Sequence, residues 1–356
     1  LFDALSKTTM RYVSAEPMAA AEGVTRKVYD QINRDFFING SLTSRSKVTG
    51  IFAATWMAGR ETIIVDDRLD RVTKETLAAT LSDINDCPYC GDMLVSLVHA
   101  GNQHENAEAI YSGEQQQISD SRLREMHRWV IAAATPGAEF PDDLPFTAEE
   151  LPEVLGSLMA MCDINAFSHV VMDGSPVKTP FGSTRIKSAL LRLFGNELVP
   201  TQQRQVEPGT AITLLPPATL PEQMSWARAN PRIADTIACW IAAVDAEAAK
   251  VIPPQTRKMV ESNLEAWDGT PMPMSRAWLE REVSQVPDID TDIARLALVM
   301  AKARYQLDDT LVAAVLAGCE NEETFIRILA WCSNLTARCL VRKISANIKP
   351  EQAIAA

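Results

Sequence analysis

Residues 72–100 read VTKETLAATLSDINDCPYCGDMLVSLVHA, one helical pattern, a break, and a second helical pattern with two cysteines at its start. Val72, Leu77, Leu81 and Ile84 are the apolar positions of the first pattern, and Lys74, Glu75, Asp83 and Asn85 are polar. Asn85-Asp86 interrupts it, and Pro88 suits the first turn of a new helix, where its missing N–H is harmless. Cys87 then falls at or beside an N-cap, with Cys90 one turn inside. Helix pattern precedes the cysteines, and neither half of the chain carries the strand pattern of an α/β fold. An all-α architecture follows.

The same position governs the chemistry. A helix N-terminus carries unsatisfied N–H groups and a partial positive charge, both of which favour a thiolate. A C-x-x-C pair so placed acquires a lowered pKa and becomes a redox couple. Half a zinc site is the other use of such a pair, but no second C-x-x-C or H-x-H lies at usable spacing, so no metal and no cofactor is expected.

Glu75, eleven intervening residues and Cys87-x-x-Cys90, with Ser82 and Asn85 between, resemble the AhpD-like alkylhydroperoxidase branch of the carboxymuconolactone decarboxylase superfamily. That family's pattern is E-x11-C-x2-C-x3-H. The glutamate and both cysteines match, whereas the final position holds Leu94. The resemblance covers residues 72–93 and implies an all-helical fold, a homo-oligomer and thiol redox chemistry. It implies Cys90 as attacking thiolate, Cys87 as resolving thiol and Glu75 as proton relay. The missing histidine bears on the full peroxidase relay. CPYC also occurs in glutaredoxins, but there it follows a β-strand at the first βα turn.

The 356 residues suggest two domains, because a single core seldom grows beyond about 250–300 residues. A net charge of −12 argues against nucleic acid, whose phosphates need clustered Lys and Arg. No run of eighteen apolar residues marks a membrane span, and no secretory signal opens the sequence. Of seven cysteines, Cys162, Cys239, Cys319, Cys332 and Cys339 lie in apolar helical patterns and read as small buried hydrophobes. A reducing, cytoplasmic setting fits them.

In chain order, residues 1–23 form an irregular arm before a helix over Val24–Phe37, and Ser44–Gly59 is helical. Ile63–Val65 is a short β-like run. Residues 119–134 and 147–171 are helices joined by a loop from Pro136 to Pro145. Residues 181–222 form a proline-rich linker with a short basic helix over about Thr184–Phe194, whose Arg185, Lys187 and Arg192 face solvent, dock on acidic helices or bind an anionic ligand.

The second half repeats the first in order. Residues 51–56 answer to 235–240, 72–84 to 252–264, 123–134 to 293–304, and 159–171 to 329–341, at offsets falling from 184 through 180 to 170. Trp56 aligns with Trp240 and Cys162 with Cys332. Glu75 aligns with Gln255, and the CPYC region with a segment lacking cysteine. The chain therefore reads as an AhpD-like helical domain over 1–180, the linker over 181–222, and a degenerate repeat over 223–356 retained for packing.

Within the site, Cys90, Leu94 and Leu97 share one face of their helix, while Asp92, Ser96 and His99 share a polar one. His99 and His104 read as surface residues. Tyr89 supplies either a hydroxyl or packing. His169 is either a core or interface histidine or a replacement relay base folded over the pocket. Glu75 is either the relay or a first-turn acid complementing its helix dipole. About 18 Å of straight helix separates it from the thiols, so contact requires a sharp crossing or a neighbouring chain.

The expected function is a thiol–disulfide oxidoreductase, in its specific form an alkyl hydroperoxidase, acting on a hydroperoxide or disulfide with a small-molecule or protein thiol as reductant. Two other readings stand beside it, a non-redox lyase or isomerase with Glu75 as base, and a non-catalytic helical binding module.

Overall fold

The computed structural model describes residues 8–179, 183–284 and 287–349. Every regular element among them is helical, and the β-type contact is an isolated antiparallel bridge between Met10 and Met172. The helices of the first part are α1 (Gly23–Asp35), α2 (Gly40–Thr43), α3 (Thr49–Gly59), α4 (Arg71–Ile84), α5 (Pro88–Ala100), α6 (His104–Ser112), α7 (Ser121–Ala134) and α8 (Leu151–Val171). Next comes α9 (Thr184–Gln202), then α10 (Pro231–Ala248), α11 (Pro254–Ala266), α12 (Ala277–Val283), α13 (Thr291–Lys302), α14 (Asp309–Ala317) and α15 (Glu322–Asn347). Side-chain caps begin many of them: Asp70 accepts from the Thr73 N–H, Asp120 from Leu123, and Asn321 from Thr324.

α8 is apolar on every side and almost wholly buried, the pattern of a helix at the centre of a large core. By length and composition it could cross a membrane, but 94% of its apolar window is covered by the rest of the chain. Glu153 and Asp163 interrupt its apolar run, so the sequence shows no unbroken span there. α4, α5 and α15 pack against α8, and α7 packs against α4. Two of the paired stretches meet their own counterparts, α3 against α10 and α8 against α15, with Trp56, Trp240, Cys162 and Cys332 all buried. Cys239 and Cys339 are buried too, while Cys319 is half-buried.

Three local expectations are corrected. Ile63–Val65 is not strand-like: Arg60–Ile64 is a π-helical turn continuing α3, and Val65 is extended beyond it. The wider turn carries Arg60 and Glu61 inward. There Arg60 meets Asp35 at 2.7 Å, and Glu61 accepts the backbone N–H groups of Gly209 and Ala211. The basic helix is not short but runs nineteen residues through Pro200 to Gln202, because one face of it is buried on α5. Nor is His99 a surface residue: it is buried beneath that same helix.

Candidate active site

The turn between α4 and α5 builds the site. Asp86 adopts a left-handed conformation (φ 48°), which a short polar side chain tolerates, and the Cys87 N–H donates to the Ser82 carbonyl at 3.0 Å. The chain thereby reverses within three residues, and Cys87 becomes the N-cap of α5 with Pro88 in its first turn. Both thiols are free and buried. Burial raises the Cys87 pKa, but hydrogen bonds from the thiol and backbone N–H of Cys90, helped by the Arg304 guanidinium, bring it below the ordinary thiol value. Cys90 is held well above it, by burial first and then by its neighbour Cys87. The Ser168 hydroxyl and the Arg45 guanidinium act in the opposite direction. The first proton therefore leaves the pair as a unit, with the charge centred on Cys87.

Cys90 lines an apolar cavity of about 70 Å³, walled by Phe36, Phe37, Trp56, Leu94 and Ile164, with Glu75 and Tyr89 among its polar groups. That volume holds a few waters or the reacting end of a small organic molecule. Packing of α4 on α5 brings the Glu75 carboxylate to the same cavity as Cys90 within one chain. Arg71 donates to Oε1 of Glu75 at 2.7 Å from the preceding turn, and the Gln202 amide donates to Oε2 from the end of α9. Leu94, one turn beyond Cys90, makes that wall apolar. Tyr89 is both packed and oriented, its hydroxyl accepting the Gly40 N–H at 3.0 Å. His169 does not line this cavity. It stands on the Cys87 side, its Nδ1–H directed at the Asp86 carbonyl at 3.1 Å, with its pKa lowered by burial and by Arg304.

Six residues in and around this site do not stand out in the sequence. Arg45 is fully buried, paired with Asp163 at 3.2 Å and stacked 3.7 Å from the Phe167 ring centre. Asp163 in turn accepts the Ser333 hydroxyl of α15 at 2.6 Å, so the second half supports this chain of contacts. The Arg45 Nε is buried with no hydrogen-bond partner, and the Ser168 hydroxyl with none besides the Cys90 sulfur; the Arg45 charge and that hydroxyl both favour the Cys90 thiolate. Gln202 and Arg304 come from segments distant in sequence. Arg71 was not singled out either, although its i, i+4 spacing to Glu75 is a signal that could have found it.

His99 and Asp92, on the opposite face of α5, are used structurally. Lys187 of α9 pairs with Asp92 at 2.8 Å, and the Ser175 hydroxyl donates to the same carboxylate. His99 Nδ1 lies 3.1 Å from Nδ1 of His104, and burial depresses the His99 pKa to about 4. No group of three or more His, Cys, Asp or Glu residues suited to a metal ion occurs among the described residues.

No protein-family model and no solved structure matches the chain. The chain is similar over 333 residues, 92% of its own length and 94% of the relative's, to alkyl hydroperoxide reductase Rv2159c of Mycobacterium tuberculosis, with 28% identity. That similarity spans both halves of the chain and supports, at the level of family, the alkylhydroperoxidase resemblance carried by Glu75, Cys87 and Cys90.

Proposed function

We propose that this protein is a thiol–disulfide oxidoreductase that reduces an organic hydroperoxide through Cys90 and Cys87. The observation that carries this reading is the apolar cavity lined by both Cys90 of α5 and Glu75 of α4. The Cys90 thiolate attacks the terminal peroxide oxygen and breaks the O–O bond, leaving a sulfenic acid and an alkoxide that takes a proton to become the alcohol. Cys87, the more readily ionised sulfur, then attacks the Cys90 sulfur and expels hydroxide, which leaves as water. Two electrons pass from the two thiols to the peroxide. Glu75, held by Arg71 and Gln202, returns protons to the departing oxygens. The apolar wall suits the alkyl part of the substrate, and an external thiol restores the pair.

The same reading takes residues 223–356 as a degenerate repeat of 1–180 and the assembled protein as a homo-oligomer. Thiol–disulfide exchange without peroxide is a second reading, favoured by the Cys90 hydrogen bonds and the Arg304 guanidinium, which lower the Cys87 pKa, while burial raises that of the cavity-facing Cys90.

The test is to expose the reduced protein to cumene hydroperoxide and follow the consumption of peroxide and the appearance of a Cys87–Cys90 disulfide by peptide mass spectrometry. Both are expected, and Cys90→Ser should abolish both. Peroxide consumption by Cys90→Ser at the unaltered rate would sink the peroxidase reading. A disulfide formed with small disulfides but never with peroxide would favour exchange.

A further inference from the structure

Two spaces lie near the cysteine pair, and they share no lining residue. Cys90 faces the apolar cavity. On the side of Cys87 a groove of about 1000 Å³ runs between the two halves, with Asn85, Asp86, Cys162 and His169 on one wall and Arg304 and Lys343 on the other. Cys87 is buried just behind that wall, next in the chain to its Asn85 and Asp86, and within reach of the Arg304 charge.

Arg304 has no carboxylate partner among the described residues. Lys302 pairs with Glu282 at 3.2 Å, and Lys343 stands 2.8 Å from the Trp267 ring centre with Asp268 near it. Nη1 of Arg304 donates to the Asn85 carbonyl at 3.4 Å, and Nη2 lies 4.0 Å from the Cys162 sulfur. Its Nε is buried and unpartnered. The guanidinium is half-buried on the groove wall, so part of its hydration is lost with no counter-ion gained, and an anion entering the groove meets it. The other titratable groups around it offer no substitute. His169 has its pKa lowered by burial, Cys162 is pushed by burial to about 11, and Asp86 repels an anion.

We propose that this groove admits the reductant of the Cys87–Cys90 disulfide, and that Arg304 selects a small thiol carrying a negative charge. The inference rests on the redox reading above and names the class of its co-substrate. Displacement at a disulfide runs in line with the S–S bond, so a thiolate arriving from the groove attacks the Cys87 sulfur and forms a mixed disulfide there. Cys90 departs as a thiolate towards the Arg45 and Ser168 donors. A second small thiolate attacks the outer sulfur of the mixed disulfide, releasing the small disulfide and leaving Cys87 as a thiolate beside Arg304. Two protons restore both thiols, and two small thiols are oxidised for each protein disulfide reduced. Arg304 faces negative charge in both displacements.

The experiment uses the full chain oxidised with diamide and freed of oxidant. Its reduction by 2-mercaptoethanesulfonate, 2-mercaptoethanol and cysteamine (anionic, neutral and cationic) is followed by mass spectrometry, each rate divided by that thiol's rate on an uncharged model disulfide. At low ionic strength the anionic thiol should be preferred over the cationic one by about tenfold, and salt should shrink the preference. Arg304→Gln should erase it and Arg304→Lys retain most of it. Equal normalised rates in the unaltered protein, or an undiminished preference in Arg304→Gln, overturns the proposal. Should Arg304→Gln not fold, the salt response and Arg304→Lys decide, and a preference indifferent to salt counts against it. Peroxide is absent throughout, so a chain that fails to reduce hydroperoxides fails in the earlier assay and not in this one.

Discussion

Leu94 closes the wall of the Cys90 cavity at the position where the family pattern has a histidine. It removes a base that could shuttle the Cys90 proton near neutral pH, and its apolar surface adds to the burial that holds Cys90 above the ordinary thiol value. General-base assistance is worth about 10²–10⁴ in rate. Leu94→His is therefore expected to raise hydroperoxide turnover at pH 7 by at least about tenfold, measured as kcat/KM. Its cost in stability should be about 1–3 kcal/mol, since the imidazole enters a mostly apolar wall. A folded Leu94→His protein with no gain would count against peroxide as the substrate. Glu75→Gln keeps the shape of the side chain but removes the charge that holds Arg71. It should lower turnover by about 10²-fold if the carboxylate moves protons, with an altered pH–rate profile as the distinguishing readout. At this scale the sequence displayed Glu75, both cysteines and Leu94. It did not display Arg45, Ser168 or Gln202, whose types are ordinary and whose convergence on the site depends on helix packing.

The docking of α9 on α5 decides how much of the site is enclosed. Gly195 makes the close approach possible. A Cβ there would lie 2.6 Å from the His99 Cβ and 2.7 Å from the Ser96 carbonyl oxygen, and the second of these is backbone that cannot swing aside. Gly195→Ala should therefore push α9 outwards and cost about 1–3 kcal/mol, read as a lowered urea midpoint. Because Gln202 at the end of α9 holds Glu75, the variant should also lose turnover beyond its loss of stability. An unchanged midpoint would mean that α9 is seated less tightly than this contact requires. The basic composition of this helix was legible, but its proline-rich surroundings suggested a linker, because a sequence pattern carries no record of Lys187 meeting Asp92 across two helices.

At the scale of the whole molecule, burying histidines without charge makes the fold sensitive to acid. Burial lowers His99 and His127 to about 4. The unfolded chain takes up these protons near pH 6.5 and the folded chain does not. Their contribution is therefore complete above about pH 6.5 and is lost as pH falls towards 4, on the order of 3 kcal/mol for each histidine. Thermal melting at pH 7.5, 6 and 4.5 should show the unaltered protein losing stability relative to His127→Gln as the pH falls. A constant difference between the two would show that His127 titrates normally. By itself the sequence determined the helical class, through periodicity and the absence of strand patterns. It also displayed the cysteine pair at the start of α5, because a C-x-x-C behind a helix break is a local feature. What the tertiary structure decided was everything set by crossings between distant segments. It brought Glu75 to the Cys90 cavity and moved His169 to the groove, buried His99 beneath α9, and set Arg304 and Ser333 of the second half within the surroundings of the cysteines. Local propensity fixes which residues share a face, but only packing fixes which faces meet.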